Sequence, residues 1–319
     1  MKLSGNTIFI TGGGSGIGRG LAEALHRRGN KVIISGRRRA NLDQVVAANP
    51  GMTAVELDIT DPANISAVAS QLLTEHPDLN ALINNAGIML PDQAAGPIDD
   101  KLIVDTVTTN LVGSIRMTSA LIEHLKSKDD AVIAYTSSVL GFVPMAVTAV
   151  YSATKAAVHS YALSQRFLLR NSGVRVLEIA PPWVRTDLMN SREAAEAMPL
   201  DQFIEETMAM LATDADEILV EGAKAFRANV GPHEHGLVNS FNEFASARFA
   251  DGWEGGRRRL PMRERPGTAR GDAVYHNQML ADFVLAIESA ISRASMPIWR
   301  RRPVVAGLKP QKYKPSFAG

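Results

Sequence analysis

The chain has no cysteine among its 319 residues. That excludes disulfides, thiol nucleophiles and cysteine-bound zinc, and it fits a reducing, cytoplasmic setting. No apolar run approaches the roughly 20 residues that a membrane-spanning helix needs. No basic-then-apolar leader precedes the first strand-like segment, so export is not expected. Net charge is nearly absent at +1, yet this hides an asymmetry. From Arg257 onward there are 13 Lys/Arg against 4 Asp/Glu, and before it 21 against 29. A mildly acidic body therefore carries a basic tail, and the sign of the body argues against nucleic acid as a partner. What the chain does have is 45% hydrophobic residues, enough for a core of ordinary size in one α/β domain with an appendage.

Apolar runs and helical patterns alternate along the first two thirds. Thr7–Thr11, Lys31–Ser35, Thr53–Leu57, Ala81–Asn84, Ala131–Thr136 and Val174–Ala180 read as strands. Between them, Gly16–Gly29, Asn41–Ala48, Asn64–His76, Ile103–Leu125 and Tyr151–Asn171 read as helices. Strands that are apolar throughout, separated by helices, predict a parallel sheet covered on both faces. The expected fold class is therefore α/β, a doubly wound Rossmann-type sheet of about six strands. Ligands of such sheets sit at the carboxyl ends of the strands. Beyond Asn190 the alternation stops. Leu200–Ala212 and Asp214–Ala228 read as helices, and Gly231–Asn242 as a polar cluster. The expected division is a catalytic unit over 1–249 and a basic extension over 250–319, with one amphipathic helix at Gln278–Ala294.

Gly12-Gly13-Gly14-Ser15-Gly16-Ile17-Gly18 lies between the first strand and the first helix. A tight turn against a pyrophosphate needs residues without Cβ, and the helix N-terminus offers free N–H groups to phosphates. The placement points to a dinucleotide. At the end of the second strand, Ser35-Gly36-Arg37-Arg38-Arg39 holds no carboxylate to bond the adenosine ribose. Guanidinium groups suit a 2′-phosphate, so NADP(H) is expected over NAD(H), with Arg37 as the first candidate. Arg39 reads as the start of a solvated helix.

Tyr151 and Lys155 are four apart and share one helical face. A nearby ammonium favours the phenolate, which makes a tyrosine usable in proton transfer. By itself a Y-x-x-x-K spacing arises often by chance. Here Ser138 closes the fifth strand thirteen residues earlier, Asn110 lies in the preceding long helix, Asn84-Asn85-Ala86-Gly87 ends the fourth strand, and Asp58 follows the third. In order and spacing this set, with Gly12, Gly16 and Gly18, resembles the short-chain dehydrogenase/reductase family across Lys2 to about Leu188. From Glu217 to Asn242 the chain looks more like the DltE-like oxidoreductase branch.

The resemblance implies roles. Tyr151 would be the general acid/base, Lys155 its modulator and ribose anchor, and Ser138 the partner of the substrate oxygen. Asn110 would hold a water behind Lys155. Ser15 and Ile17 would join the glycines at the phosphates, Asp58 and Ile59 would flank the adenine, and Asn84, Ala86 and Gly87 would line the cofactor. Asn85 would be structural. Val184 and Thr186 would hold the carboxamide, with Pro182 standing where the family usually has glycine. The implied reaction is hydride transfer between a nicotinamide and a carbonyl or secondary alcohol, with no metal.

Residues following the strand ends are mostly apolar. Met89, Phe142, Met145, Trp183 and Leu188 are the candidate substrate residues, so a hydrophobic small molecule is expected. A homodimer or homotetramer through the long helices is expected. His233 and His235 read as a polar loop and not a metal pair. The competing reading is a non-catalytic dinucleotide sensor acting through the basic tail. Retention of Ser138, Tyr151, Lys155 and Asn110 together favours the enzyme. Dehydration or epimerisation on the same fold stays open.

Overall fold

The structure, a computed structural model, describes residues 1–231 and 234–249. The basic extension over 250–319, with its expected amphipathic helix, and His233 lie outside the described residues. Among the described residues, seven parallel strands form one sheet in the order β3-β2-β1-β4-β5-β6-β7. They are β1 Thr7–Thr11, β2 Lys31–Gly36, β3 Thr53–Glu56, β4 Leu79–Asn84, β5 Ala131–Thr136, β6 Val174–Ile179 and β7 Glu217–Ile218. The helices are α1 Gly16–His26, α2 Arg39–Ala48, α3 Pro62–Glu75, α4 Asp100–Val107, α5 Gly113–Lys126, α6 Ala149–Leu169, α7 Leu200–Leu211, α8 Glu221–Arg227 and α9 Glu234–Phe249.

Each strand sends alternate side chains to opposite faces. Ile8 and Ile10 enter one core with Leu21, Leu25, Phe203 and Ile204, which belong to α1 and α7. Phe9 enters the other with Ile65, Met117, Leu121 and Val158, from α3, α5 and α6. A fully buried side chain of this size contributes about 1.5–3 kcal/mol. Strands buried on both faces are thus apolar throughout, which is why they are readable as runs. The order reverses between β1 and β4, and this switch point opens the crevice where the glycine turn and Asn85–Gly87 meet.

Three features depart from the expected architecture. The sheet gains a seventh strand because Glu217–Ile218 pairs with Glu178–Ile179. Two residues are too few to leave a periodic signal, and they split the helix expected over 214–228. The long helix over 103–125 is interrupted by a π-helical stretch, Thr108–Val112, centred on Asn110. The polar cluster over 231–242 largely becomes α9. Its Leu237 and Ala245 are buried eight apart, and Phe241 between them packs edge-on against Phe226.

Candidate active site

The glycine turn is locked to the end of β4. Gly12 has φ +69°, and a Cβ there would lie 2.9 Å from the Ala86 Cα. A Cβ on Gly18 would lie 2.3 Å from both the Gly12 carbonyl oxygen and Asn85 Nδ2. Asn85 donates to the Thr11 and Gly12 carbonyls at 3.2 and 3.3 Å. Ser15 precedes α1 with extended backbone, and its side chain makes no cap bond. The first-turn N–H groups of α1 are thus left for an anion. A dinucleotide phosphate fits this cradle, so the residues present suit the cofactor.

At the end of β2, Arg38 reaches Ser15 Oγ at 3.5 Å, while Arg39 pairs with Asp43. Arg37 is exposed, and its charge bears on Asp58. Thr60 bonds Asp58 from its backbone and hydroxyl, and these bonds hold the carboxyl below its ordinary value against the effect of burial. Ile59 is buried in the second core. Asn84 is turned inward and donates to Thr118 Oγ1 at 2.9 Å, whereas Gly87 lies on the exposed side. Thr186 lies 3.5 Å from the Cβ position of Gly16. The loop that carries it is shaped by buried Ser191, which donates to the Val184 carbonyl at 2.9 Å and accepts from Thr186 N–H at 3.2 Å. Ser191 and Asp92 are site-shaping residues that sequence reading passes over. Asp92 accepts from Val150 N–H at 2.8 Å and so caps α6.

Tyr151 and Lys155 are 6% and 4% exposed, side by side on α6. Lys155 Nζ stands 5.5 Å from the Tyr151 ring centroid and donates to the Thr136 carbonyl at 2.7 Å. Burial pushes the Tyr151 phenol up to about 12, with a hydrogen bond to Ser138 opposing. Burial brings the Lys155 ammonium down to about 8, with the Glu178 charge opposing. The phenol therefore carries its proton at neutral pH, the state that can donate to a carbonyl. Asn110 accepts from Ile88 N–H at 2.8 Å and donates to the Ile88 carbonyl at 2.9 Å and Thr154 Oγ1 at 3.2 Å. A Cβ on Gly87 would touch both Asn110 Oδ1 and Lys155 Nζ, at 3.3 and 3.8 Å. The structure thus gathers Asn110, Ser138, Tyr151 and Lys155 around the carboxyl ends of β4 and β5.

The apolar candidates divide. Met89 and Met145 pack on the first core, and Leu188 is exposed. Trp183 is half-buried, and its carbonyl accepts from Met198. Phe142 is buried edge-on against His159, with the Arg227 guanidinium 5.2 Å from its ring centroid. Met189, beside Leu188, has φ 60°, which strains a residue with a side chain. Among the described residues no helix is long and apolar enough to cross a membrane.

A model of the short chain dehydrogenase family matches residues 6–197. Over 189 residues the chain is 39% identical to the uncharacterized oxidoreductase DltE of Bacillus subtilis, covering 59% of this chain and 75% of that protein. It is 26% identical over 225 residues to an NADP-dependent 3-hydroxy acid dehydrogenase of Schizosaccharomyces pombe, covering 69% and 87%. A short chain dehydrogenase from Burkholderia cenocepacia in complex with NADP superposes with a TM-score of 0.67 at 27% identity, over 75% of this chain and 98% of that one. A 3-ketoacyl-(acyl-carrier-protein) reductase from Brucella melitensis complexed with NADH gives 0.62 at 28% identity, over 67% and 93%.

Proposed function

The chain belongs to the short chain dehydrogenase family, in its DltE-like branch, and is an oxidoreductase; from that premise we propose that it reduces a hydrophobic carbonyl compound with NADPH. The observation that carries this reading is the buried Tyr151 phenol, acted on by Ser138 and flanked by Lys155 at the strand ends beside the glycine turn. When bound, the nicotinamide cofactor supplies the hydride. Tyr151 holds the proton that goes to the substrate oxygen, and Ser138 bonds that oxygen. Lys155 stabilises the phenolate that Tyr151 becomes. Such proton transfer contributes typically 10²–10⁴-fold in rate. Val184 and Thr186, on the loop that Ser191 shapes, orient the nicotinamide end.

Arg38 beside Ser15, Arg37 near Asp58, and the absence of a carboxylate from the end of β2 support NADPH over NADH. Apolar Met89, Met145 and Trp183 near the strand ends support a hydrophobic substrate. Leu163, Phe167 and Leu168 project from α6, with Phe167 63% and Leu168 75% exposed, and support a homo-oligomer built on that face. The catalytic unit spans 1–249, with 250–319 a separate basic extension. A chain ending at residue 249 that loses all turnover would refute this division.

The test is oxidation of NADPH and NADH against aliphatic, aromatic and cyclic ketones and aldehydes. Turnover of apolar carbonyls with NADPH preferred supports the reading. NADPH binding with no turnover across the panel defeats it and favours a dinucleotide sensor.

A further inference from the structure

Glu178 interrupts the apolar run of β6, and its side chain is fully buried. A buried carboxylate stays ionised only when it is well partnered. Ser137 donates to Oε1 at 2.5 Å, and His159 Nδ1 lies 2.7 Å from Oε2. A carboxylate at this position would accept from both groups. Ser137 directly precedes Ser138, and His159 follows Lys155 by four residues on α6. The two bonds therefore tie the end of β5 to the Tyr-Lys helix.

Glu178 also faces Glu217 across the β6–β7 pairing, and ligand atoms of His159, Glu178 and Glu217 lie within 4.8 Å of one another. Arg227 already supplies a cation to this cluster. Its guanidinium donates to both Glu217 oxygens at 2.7 and 3.0 Å. Glu217 and Arg227 offset each other, which leaves the charge of Glu178 directed at α6.

We propose that Glu178 is a positioning residue for the reaction: bonded to Ser137 beside Ser138 and to His159 one turn beyond Lys155, its buried side chain fixes the end of β5 against α6 and presents a negative charge to the Lys155 ammonium. This rests on the Tyr151–Lys155 reading given above. Among the described residues, the charged and titratable groups facing Glu178 are Lys155 and His159 from α6, Glu217 from β7 and Arg227 from α8, with Arg166 of α6 acting on Glu217. Burial lowers Lys155, and Glu178 is the group that opposes it. Burial and Ser138 govern Tyr151.

The experiment compares wild type, Glu178→Gln and Glu178→Asp in the full chain. Two readouts are taken: the alkaline limb of kcat/KM for NADPH-dependent reduction, and the titration of Lys155 followed by 13Cε NMR. Loss of an opposite charge within about 4–6 Å shifts a pKa by about one unit or more, and by less at greater distance. Glu178→Gln is expected to move both readouts toward neutrality, by up to about one pH unit. Glu178→Asp keeps the charge and stays nearer wild type. A purely packing role gives the reverse order, since glutamine keeps the shape and aspartate does not; that order, or an unmoved Lys155 titration in Glu178→Gln, overturns the proposal. If Glu178→Gln does not fold, Ser137→Ala takes its place. It removes a bond that favours the ionised carboxylate and must move Lys155 the same way by a smaller amount, and an unmoved titration again overturns the proposal. The NMR titration needs no turnover, so an inactive wild type defeats the enzyme reading while this readout still judges the charge coupling.

Discussion

Replacing Asn110 by alanine strips Ile88 of both side-chain partners of its backbone. Asn110 is 1% exposed in the π-helical stretch and makes three hydrogen bonds, two to the Ile88 main chain and one to Thr154. A neutral hydrogen bond contributes about 1 kcal/mol net, and an orphaned buried partner costs about 1–3 kcal/mol. Ile88 is half-buried, so water replaces part of what is lost. The worked loss is about 2–3 kcal/mol. For a unit of this size 1 kcal/mol corresponds to about 2–4 °C, so thermal melting should fall by about 5–10 °C. A double-mutant cycle with Thr154→Val should return a coupling of about 1 kcal/mol, since the two side chains are in contact. Gly87 is wedged between Asn110 and Lys155, so NADPH affinity should weaken as well. A melting temperature within about 2 °C of wild type would refute the claim that Asn110 clamps this segment.

Other perturbations test neighbouring parts of the site. Gly18→Ala forces a Cβ against the Gly12 carbonyl and should cost about 1–3 kcal/mol of stability. It should also abolish measurable NADPH fluorescence enhancement, and unchanged binding would show that the cradle tolerates side chains. Arg38→Gln should lower the NADPH-over-NADH preference by about tenfold, the worth of one charge-assisted bond. An unchanged ratio would assign recognition to Arg37. Reductase activity should decline as pH rises through about 8, where Lys155 loses its proton. Stability should move the other way: the folded Lys155 value is depressed, so the unfolded chain binds more protons between about 8 and the ordinary 10.5, and stability rises over that window. Parallel rate and melting profiles would contradict the assignment.

Much of this was legible because single residues carried it. Ile8 to Ile10 are buried on both sheet faces, so β1 reads as an uninterrupted apolar run. Gly12 and Gly18 stand where no Cβ fits, and Tyr151 and Lys155 are held together by helical periodicity alone. Other features were written in pairings that sequence spacing does not reveal. Glu178 meets Ser137 across 41 residues, although a charge inside the apolar run of β6 was a visible signal. Arg38, at the start of α2, reaches Ser15 across 23 residues. Phe142, in the short turn after β5, packs edge-on against His159, a contact that spacing does not announce. β7 contributes two residues and has no period to detect.

In the proposed reaction Tyr151 donates the proton during NADPH-dependent carbonyl reduction. The most direct test of that role is turnover of wild type and Tyr151→Phe on one active ketone, with NADPH affinity measured on both proteins by fluorescence. Unchanged affinity and a rate lower by about 10²-fold or more are expected in the phenylalanine variant. Equal rates at equal affinity would contradict that role.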